Sequence, residues 1–216
     1  MDLSVTFRFL PLLLQGAVMT VEITAISITA GIFLGLIAAL GRLSSRRLFS
    51  IPATFYVTVI RGTPLLIQIL LVYNGLAQFG INFSAMTSGL IALSINSGAY
   101  VAEIFRAAIQ SIDKGQTEAA LSLGMNYGQA MRRIILPQGS PGRDLPVGNE
   151  FIALLKDSSL VSVIGIYELM RQAQQGVSIT FRPLEVYTPA LLIYLILTSV
   201  FSVFAHRLEK QLSVYD

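Results

Sequence analysis

The chain has 216 residues, 54% of them hydrophobic and 12% charged, with mean hydropathy +0.69. A soluble domain carries about 25% charged residues, so this balance excludes an ordinary soluble fold and indicates an all-α integral membrane protein with one domain, residues 1–216. A net charge of +3 gives no footprint for nucleic acid, and the absence of cysteine excludes disulfides, thiolate metal sites and cysteine nucleophiles.

A helix that crosses hydrocarbon takes about 20 mostly apolar residues. Arg8 precedes the first apolar run, and no small-residue cleavage site ends it, so that run is expected to stay in the mature chain. Phe9–Gly16 (FLPLLLQG) is too short to cross and is expected to lie on the membrane surface as an amphipathic helix. The first span is expected at 16–41, uncharged from Ile23 to Gly41, with Gly31 and Gly35 forming a GxxxG suited to close internal packing. The second span covers 53–81. Within it Pro64 removes a helix hydrogen bond and crowds the preceding turn, so the helix should kink over Arg61, Gly62, Thr63 and Pro64. The third span covers 85–112 and the fifth 186–206. Between them, Leu145–Tyr167 is interrupted by Glu150, Lys156 and Asp157.

Charge decides whether that interrupted segment crosses. Arg132, Arg133 and Arg143 before it, and Arg207 and Lys210 after the last span, belong on the cytoplasmic side, which requires two crossings between the groups. With five spans and the N-terminus outside, Arg42, Arg46, Arg47, Lys114 and those five lie inside, against Arg8, Arg171 and Arg182 outside. The C-terminus and the connection over 113–143 are then cytoplasmic.

That connection contains EAALSLGMNYGQAMRRIILP, Glu118–Pro137. Alanine and leucine favour a helix from Glu118, Thr117 can cap its start, and Gly124 can take the left-handed conformation that ends it. About two turns of helix are not stable alone in water, so this one must dock against something. Behind it Arg132 and Arg133 stand beside Ile134, Ile135 and Leu136.

These residues resemble the EAA loop of ABC-importer permeases, with Glu118, Ala119, Ala120, Gly124, Ile134, Leu136 and Pro137 at the loop's seven characteristic places. RGTPLLIQ (Arg61–Gln68), Asn96–Gln116 and GNEFIALLKDSSLVSVIG (Gly148–Gly165) resemble the polar amino acid subgroup of these permeases. Gly139–Pro146 departs from it, being rich in glycine and proline. The resemblance implies a five-helix permease of the type I importers in the bacterial cytoplasmic membrane. Its EAA loop would form a coupling helix seated in a groove of an ATP-binding subunit. It also implies two ABC ATPase subunits that bind ATP and Mg, a second permease subunit (identical or homologous), an extracytoplasmic solute-binding protein and a polar amino acid substrate. The sequence has no G-x-x-x-x-G-K-[ST] phosphate loop, so a non-catalytic chain without a cofactor of its own is expected.

Polar residues inside spans face a bundle interior or a water-filled cavity. Asn96, Tyr100, Glu103 and Gln110 share a helix face with Arg106 at its edge. Asn96 and Tyr100 are candidate substrate contacts, and Glu103 with Arg106 a candidate ion pair that orients the coupling loop. In the fourth span Glu150 can accept an ammonium and Lys156 can donate to a carboxylate, with Ser158 in the same motif. The competing structural reading joins Glu150, Lys156, Asp157 and Arg61 in a salt-bridge network. Arg61, Gly62 and Pro64 form either a gating break beside a substrate site or a purely structural kink. A second function class is an ion-coupled carrier or channel without an ATPase, using Glu103, Glu150 and Asp157. A third is a membrane anchor or signalling partner.

Overall fold

The computed structural model describes residues 3–135 and 147–212, with side chains at 4–135 and 147–207. Every regular element among them is helical. Helix α1 runs unbroken over Leu3–Leu43, and α2 covers Arg47–Arg61. Helix α3, Leu65–Leu70, continues through a π-helical turn at Leu71–Gly75 and a 3₁₀ turn at Leu76–Phe79. Helix α4 covers Ala85–Ser111, α5 Lys114–Ser122 and α6 Tyr127–Ala130, which runs on into a π-helical turn at Met131–Ile135. Helix α7, Val147–Asp157, continues as 3₁₀ turns over Ser158–Ile164, followed by α8 at Leu169–Thr180 and α9 at Pro183–Leu212.

The surface helix expected at Phe9–Gly16 is instead the N-terminal part of α1. At about 1.5 Å per residue, 41 residues extend roughly 60 Å, twice the hydrocarbon thickness. Phe9, Leu13 and Ala17, spaced four apart on one face, are buried against Leu169, Ala173, Val186 and Ala190. That packing comes from α8 and α9, and it keeps the helix continuous through Pro11. Polar bonds fix the same junction. Thr20 Oγ1 accepts from the Leu169 N–H at 3.2 Å. The buried Glu168 carboxylate caps α8, accepting from the N–H groups of Met170 at 2.8 Å and Arg171 at 2.7 Å and from the Tyr194 hydroxyl at 3.0 Å.

The central core joins Ile23 and Ile28 of α1, Ile69 of α3, Leu93 and Val101 of α4, Leu154 of α7, and Val161 and Ile166 beyond it. The seam between α1 and α4 is close because α1 presents glycine there. A Cβ on Gly35 would lie 2.6 Å from Val101 Cγ1, and one on Gly31 would lie 3.0 Å from Ser97 Cβ. The GxxxG therefore serves internal packing. Gly35→Val should cost about 1–3 kcal/mol by overpacking, read as a lower unfolding temperature in detergent; an unchanged melt would contradict the closeness of the seam.

Among the described residues, three helices are long and apolar enough to cross a bilayer, Ser4–Leu43, Ala85–Ser111 and Pro183–Arg207. The kink expected within the span over 53–81 is a full break: α2 and the α3 segment meet at 107° and together qualify as a broken span. The expected fourth span begins at residue 145, outside the described residues, and all of Gly139–Pro146 lies outside them too; from Val147 that span is the α7 segment with its 3₁₀ continuation. Along α9, Leu191, Leu195, Ile196 and Val200 are exposed, an arrangement suited to hydrocarbon or another apolar surface.

Candidate functional site

Two polar regions stand out. The first is the lobe that follows α4. After Ser111 the chain extends at Ile112, and Asp113 caps α5 by accepting from the Gly115 N–H at 2.6 Å. Thr117, the expected cap, therefore lies inside the helix. Aspartate is at least as good an N-cap as threonine, and here it comes first in the chain. At the other end Gly124 has φ +82, its N–H donates to Leu121 O at 3.0 Å, and the Met125 N–H donates to Ala120 O at 3.2 Å. This pair of bonds is a Schellman stop. Two residues later Asn126 and Gln129 form a reciprocal capping box at 3.0 and 2.9 Å, which starts α6.

The lobe thus sets two short helices at a defined angle. Ala120, Ala130 and Ile135 are buried beneath it, and Ile134 is half-buried. Glu118 and Ala119 face outward, and so do Leu121, Leu123 at 79% exposure and Tyr127 at 57%. Leu136 and Pro137 lie outside the described residues. Leu123 and Tyr127 were not singled out from the sequence. Their signal is only that large apolar side chains flank a tight turn, and their exposure depends on how the two helices are set.

The second region surrounds the break between α2 and α3. Pro64 begins α3, while Gly62 ends α2 with its N–H donating to Thr58 O at 2.9 Å. The carbonyls freed by the break are recovered by Gln68, a residue missed in the sequence. Its amide nitrogen donates to Ile60 O at 2.8 Å and Thr63 O at 3.1 Å, with Thr63 Oγ1 at 3.0 Å. Asn96, the candidate substrate contact, is buried and donates to Gln68 Oε1 at 3.0 Å. It supports the break from behind. Gln68→Leu should destabilise the fold by about 1–3 kcal/mol for each polar group left unpaired. Adding Asn96→Leu should then cost little more; fully additive losses in thermal unfolding would disprove the chain of bonds.

Below the break, Glu103 gathers three arginines. The expected Glu103–Arg106 pair is present, and Arg106 also bonds Gln110. Arg42 from the end of α1 bonds the second carboxylate oxygen, and Arg61 from the end of α2 stands 3.6 Å from that oxygen. The Arg61 guanidinium lies over the Tyr100 ring, 5.1 Å from its centroid. Arg61 therefore ties the break to α4, a role its place in a kink did not disclose.

The fourth-span candidates separate. Glu150 is half-buried on α7. Lys156 instead lines a groove between α7 and α9 with Asn149, Ile152, Thr198, Ser199 and Ser202. Ser158 is buried and donates to Leu155 O at 2.8 Å. Among the described residues no ion pair joins Glu150, Lys156 and Asp157, and none is clustered with others as a metal site.

The family described as "Binding-protein-dependent transport system inner membrane component" matches residues 31–214. The chain belongs to this family. Among curated relatives, the permease is 40% identical to the arginine transport system permease protein ArtQ of Bacillus subtilis (strain 168), covering all of this chain and 99% of the relative. It is 37% identical to the glutamine transport system permease protein GlnP of Escherichia coli (strain K12), covering 99% and 98%. A solved structure described as an amino acid ABC transporter with histidines matches with a TM-score of 0.90 at 47% identity, over 98% of the permease and 99% of that chain. An inward-facing methionine transporter, MetNI, shares the fold at a TM-score of 0.81 and 19% identity, over 95% and 98%.

Proposed function

We propose that the permease is the membrane subunit of an ATP-driven ABC importer for polar amino acids, lining the translocation path and coupled through the Glu118–Pro137 loop to a separate ATPase. The observation that carries the reading is the built lobe: a capped α5 stopped by left-handed Gly124, with Leu121, Leu123 and Tyr127 turned outward. Exposed apolar groups on a stiff polar lobe suit a protein groove. The relatives named for arginine and glutamine transport support the substrate class.

In this reading five spans put the N-terminus outside and the lobe inside, in the bacterial cytoplasmic membrane. Two ATPase subunits supply ATP and Mg, a second permease completes the path, and an extracytoplasmic binding protein delivers substrate. Closure of the ATPase dimer on ATP draws the two coupling lobes together. Because only Ile112 and Asp113 separate α4 from α5, that motion passes directly into α4. Glu103 then carries it to the ends of α1 and α2. Hydrolysis resets the bundle. An ion-coupled carrier is less well supported, since the Glu103 carboxylate it would titrate is already held by arginines.

The sequence has no cysteine, so a single cysteine at Ala119 gives a clean test. It should react with a membrane-impermeant reagent only from the cytoplasmic side and cross-link to the ATP-binding chain in the assembled complex. Labelling from outside, or a complex in which that cross-link never forms, would overturn the reading.

A further inference from the structure

Helix α2 carries three distinct faces on its 15 residues. One packs on the bundle: a Cβ on Gly41 would lie 3.0 Å from Ala53 Cβ, and Val57 is buried with Ala38, Ala99 and Ala102. On a second face Leu48, Ile51, Phe55 and Val59 recur at helical spacing, and all four are exposed, Leu48 at 79% and Phe55 at 69%. A third strip, Arg47, Thr54, Thr58 and Arg61, runs beside the second and is exposed as well. The exposed surface of α2 is therefore itself amphipathic.

At about 1.5 Å per residue α2 is roughly 22 Å long, short of the hydrocarbon thickness of about 30 Å. The α3 segment packs along α4, with Ile69 in one cluster with Ala92 and Leu93, and α2 meets that segment at 107°. Where the α3 segment follows α4 through the bilayer, α2 runs close to the membrane plane. A helix in that plane turns one strip to acyl chains and the neighbouring strip to headgroups and water. Only Ser44, Ser45 and Arg46 separate α1 from α2, and Ser44 Oγ accepts from the Arg46 N–H at 3.2 Å. Arg46 and Arg47 are exposed at this turn. Arg42 bonds Glu103, but among the described residues no ion pair joins Arg46 or Arg47 to a carboxylate. Two guanidiniums beside an apolar strip suit a phosphate that carries acyl chains. A zwitterionic headgroup would add an ammonium that these arginines repel, so the fitting lipid is anionic.

We propose that α2 lies in the cytoplasmic membrane–water boundary and that Arg46 and Arg47 bind the phosphate of an anionic phospholipid whose acyl chains lie against Leu48 and Ile51. This rests on the reading that places the α1–α2 turn on the cytoplasmic side. Because α2 leads into the break at Pro64 and Arg61 contacts Glu103, a headgroup held at its start braces the break from the membrane. The test titrates the assembled permease–ATPase complex in neutral detergent with dioleoylphosphatidylglycerol or dioleoylphosphatidylcholine, and native mass spectrometry counts the bound lipid.

Each arginine near an anionic headgroup is worth about fivefold, so Arg46→Gln with Arg47→Gln should weaken phosphatidylglycerol binding roughly twenty-five-fold and leave phosphatidylcholine binding unchanged. Lysine at both positions should keep most of the preference. Both side chains are exposed, so the fold tolerates the exchange. Undiminished phosphatidylglycerol binding by the glutamine variant would overturn the proposal, and so would displacement of the lipid by excess inorganic phosphate, the mark of a free-anion site. The sequence has no tryptophan, so Phe55→Trp in the full permease chain reports depth in phosphatidylglycerol nanodiscs. Bromines near the headgroup end of the acyl chains should quench it more than bromines near the chain ends. The reverse order, or no quenching, would refute an in-plane α2. Ser45→Cys should label only from the cytoplasmic side of sealed vesicles. Labelling from outside would refute the underlying orientation, whereas cytoplasmic labelling without an anionic preference would refute only the lipid site.

Discussion

Replacing Gly124 with valine is expected to cut ATP-driven uptake tenfold or more while leaving the chain inserted in the membrane. Gly124 holds φ +82, and a Cβ built there meets nothing within 4 Å. Space is therefore not the obstacle; the backbone is. An L-residue in the left-handed region costs about 1–2 kcal/mol, and a β-branched one more. Because α5 and α6 are too short to hold their shape independently, the lobe would relax by abandoning the turn. Leu121 and Leu123 would then shift relative to Tyr127, and about 1.4 kcal/mol of lost docking is already tenfold. The substitutions should rank by backbone tolerance, with Gly124→Asn mildest, Gly124→Ala intermediate and Gly124→Val worst. Uptake by reconstituted vesicles and co-purification of the ATPase give the readouts. Normal uptake by the valine variant, or an alanine variant worse than valine, would contradict a conformational role.

Replacing Glu103 with glutamine should lower stability by about 2–3 kcal/mol and separate ATP hydrolysis from transport. Removing one partner of a fully buried ion pair costs about 3–5 kcal/mol, and the 26% exposure of the Glu103 side chain argues for less. Glutamine keeps the shape and can accept a bond, yet it leaves three guanidiniums facing one another without a counter-charge. In that background Arg42→Gln should do little further harm, or even relieve repulsion, since neighbours in one network are not additive. Thermal unfolding in detergent tests the stability claim. The ratio of ATP hydrolysed to substrate imported tests the coupling claim, because α4 would no longer grip the ends of α1 and α2. A Glu103→Gln protein within about 0.5 kcal/mol of the parent, the range of an ordinary surface change, with tight coupling would show that the cluster is incidental.

The α5–α6 lobe was legible because its information is local. The spacing from Glu118 through Gly124 to Ile134 lies within one short stretch, and the left-handed glycine follows from the residue type itself. Likewise Glu103 and Arg106 are three apart on a helix, where side chains must meet. Within the lobe, local reasoning erred where two caps competed, Asp113 against Thr117. The polar site was less legible. Asn96 has a residue type suited to a cavity wall, but its partner Gln68 is 28 positions away and turns it inward. Arg42 meets Glu103 across 61 positions, and nothing near Arg42 announces that contact.

By itself, then, the sequence determined that this is a helical membrane chain, that its second apolar segment is bent near Pro64, and that a glycine-stopped lobe follows the third. Composition, proline geometry and helical spacing act over a few residues, and those effects survive in any tertiary setting. Only the tertiary structure decided that α1 runs unbroken through Pro11, that Gln68 satisfies the broken backbone, and that Arg61 turns to Glu103 while Lys156 lies in the groove against α9. Each of those outcomes depends on surfaces contributed by helices far apart in the chain, and desolvation in the packed bundle makes a polar group take whichever partner the packing brings within reach.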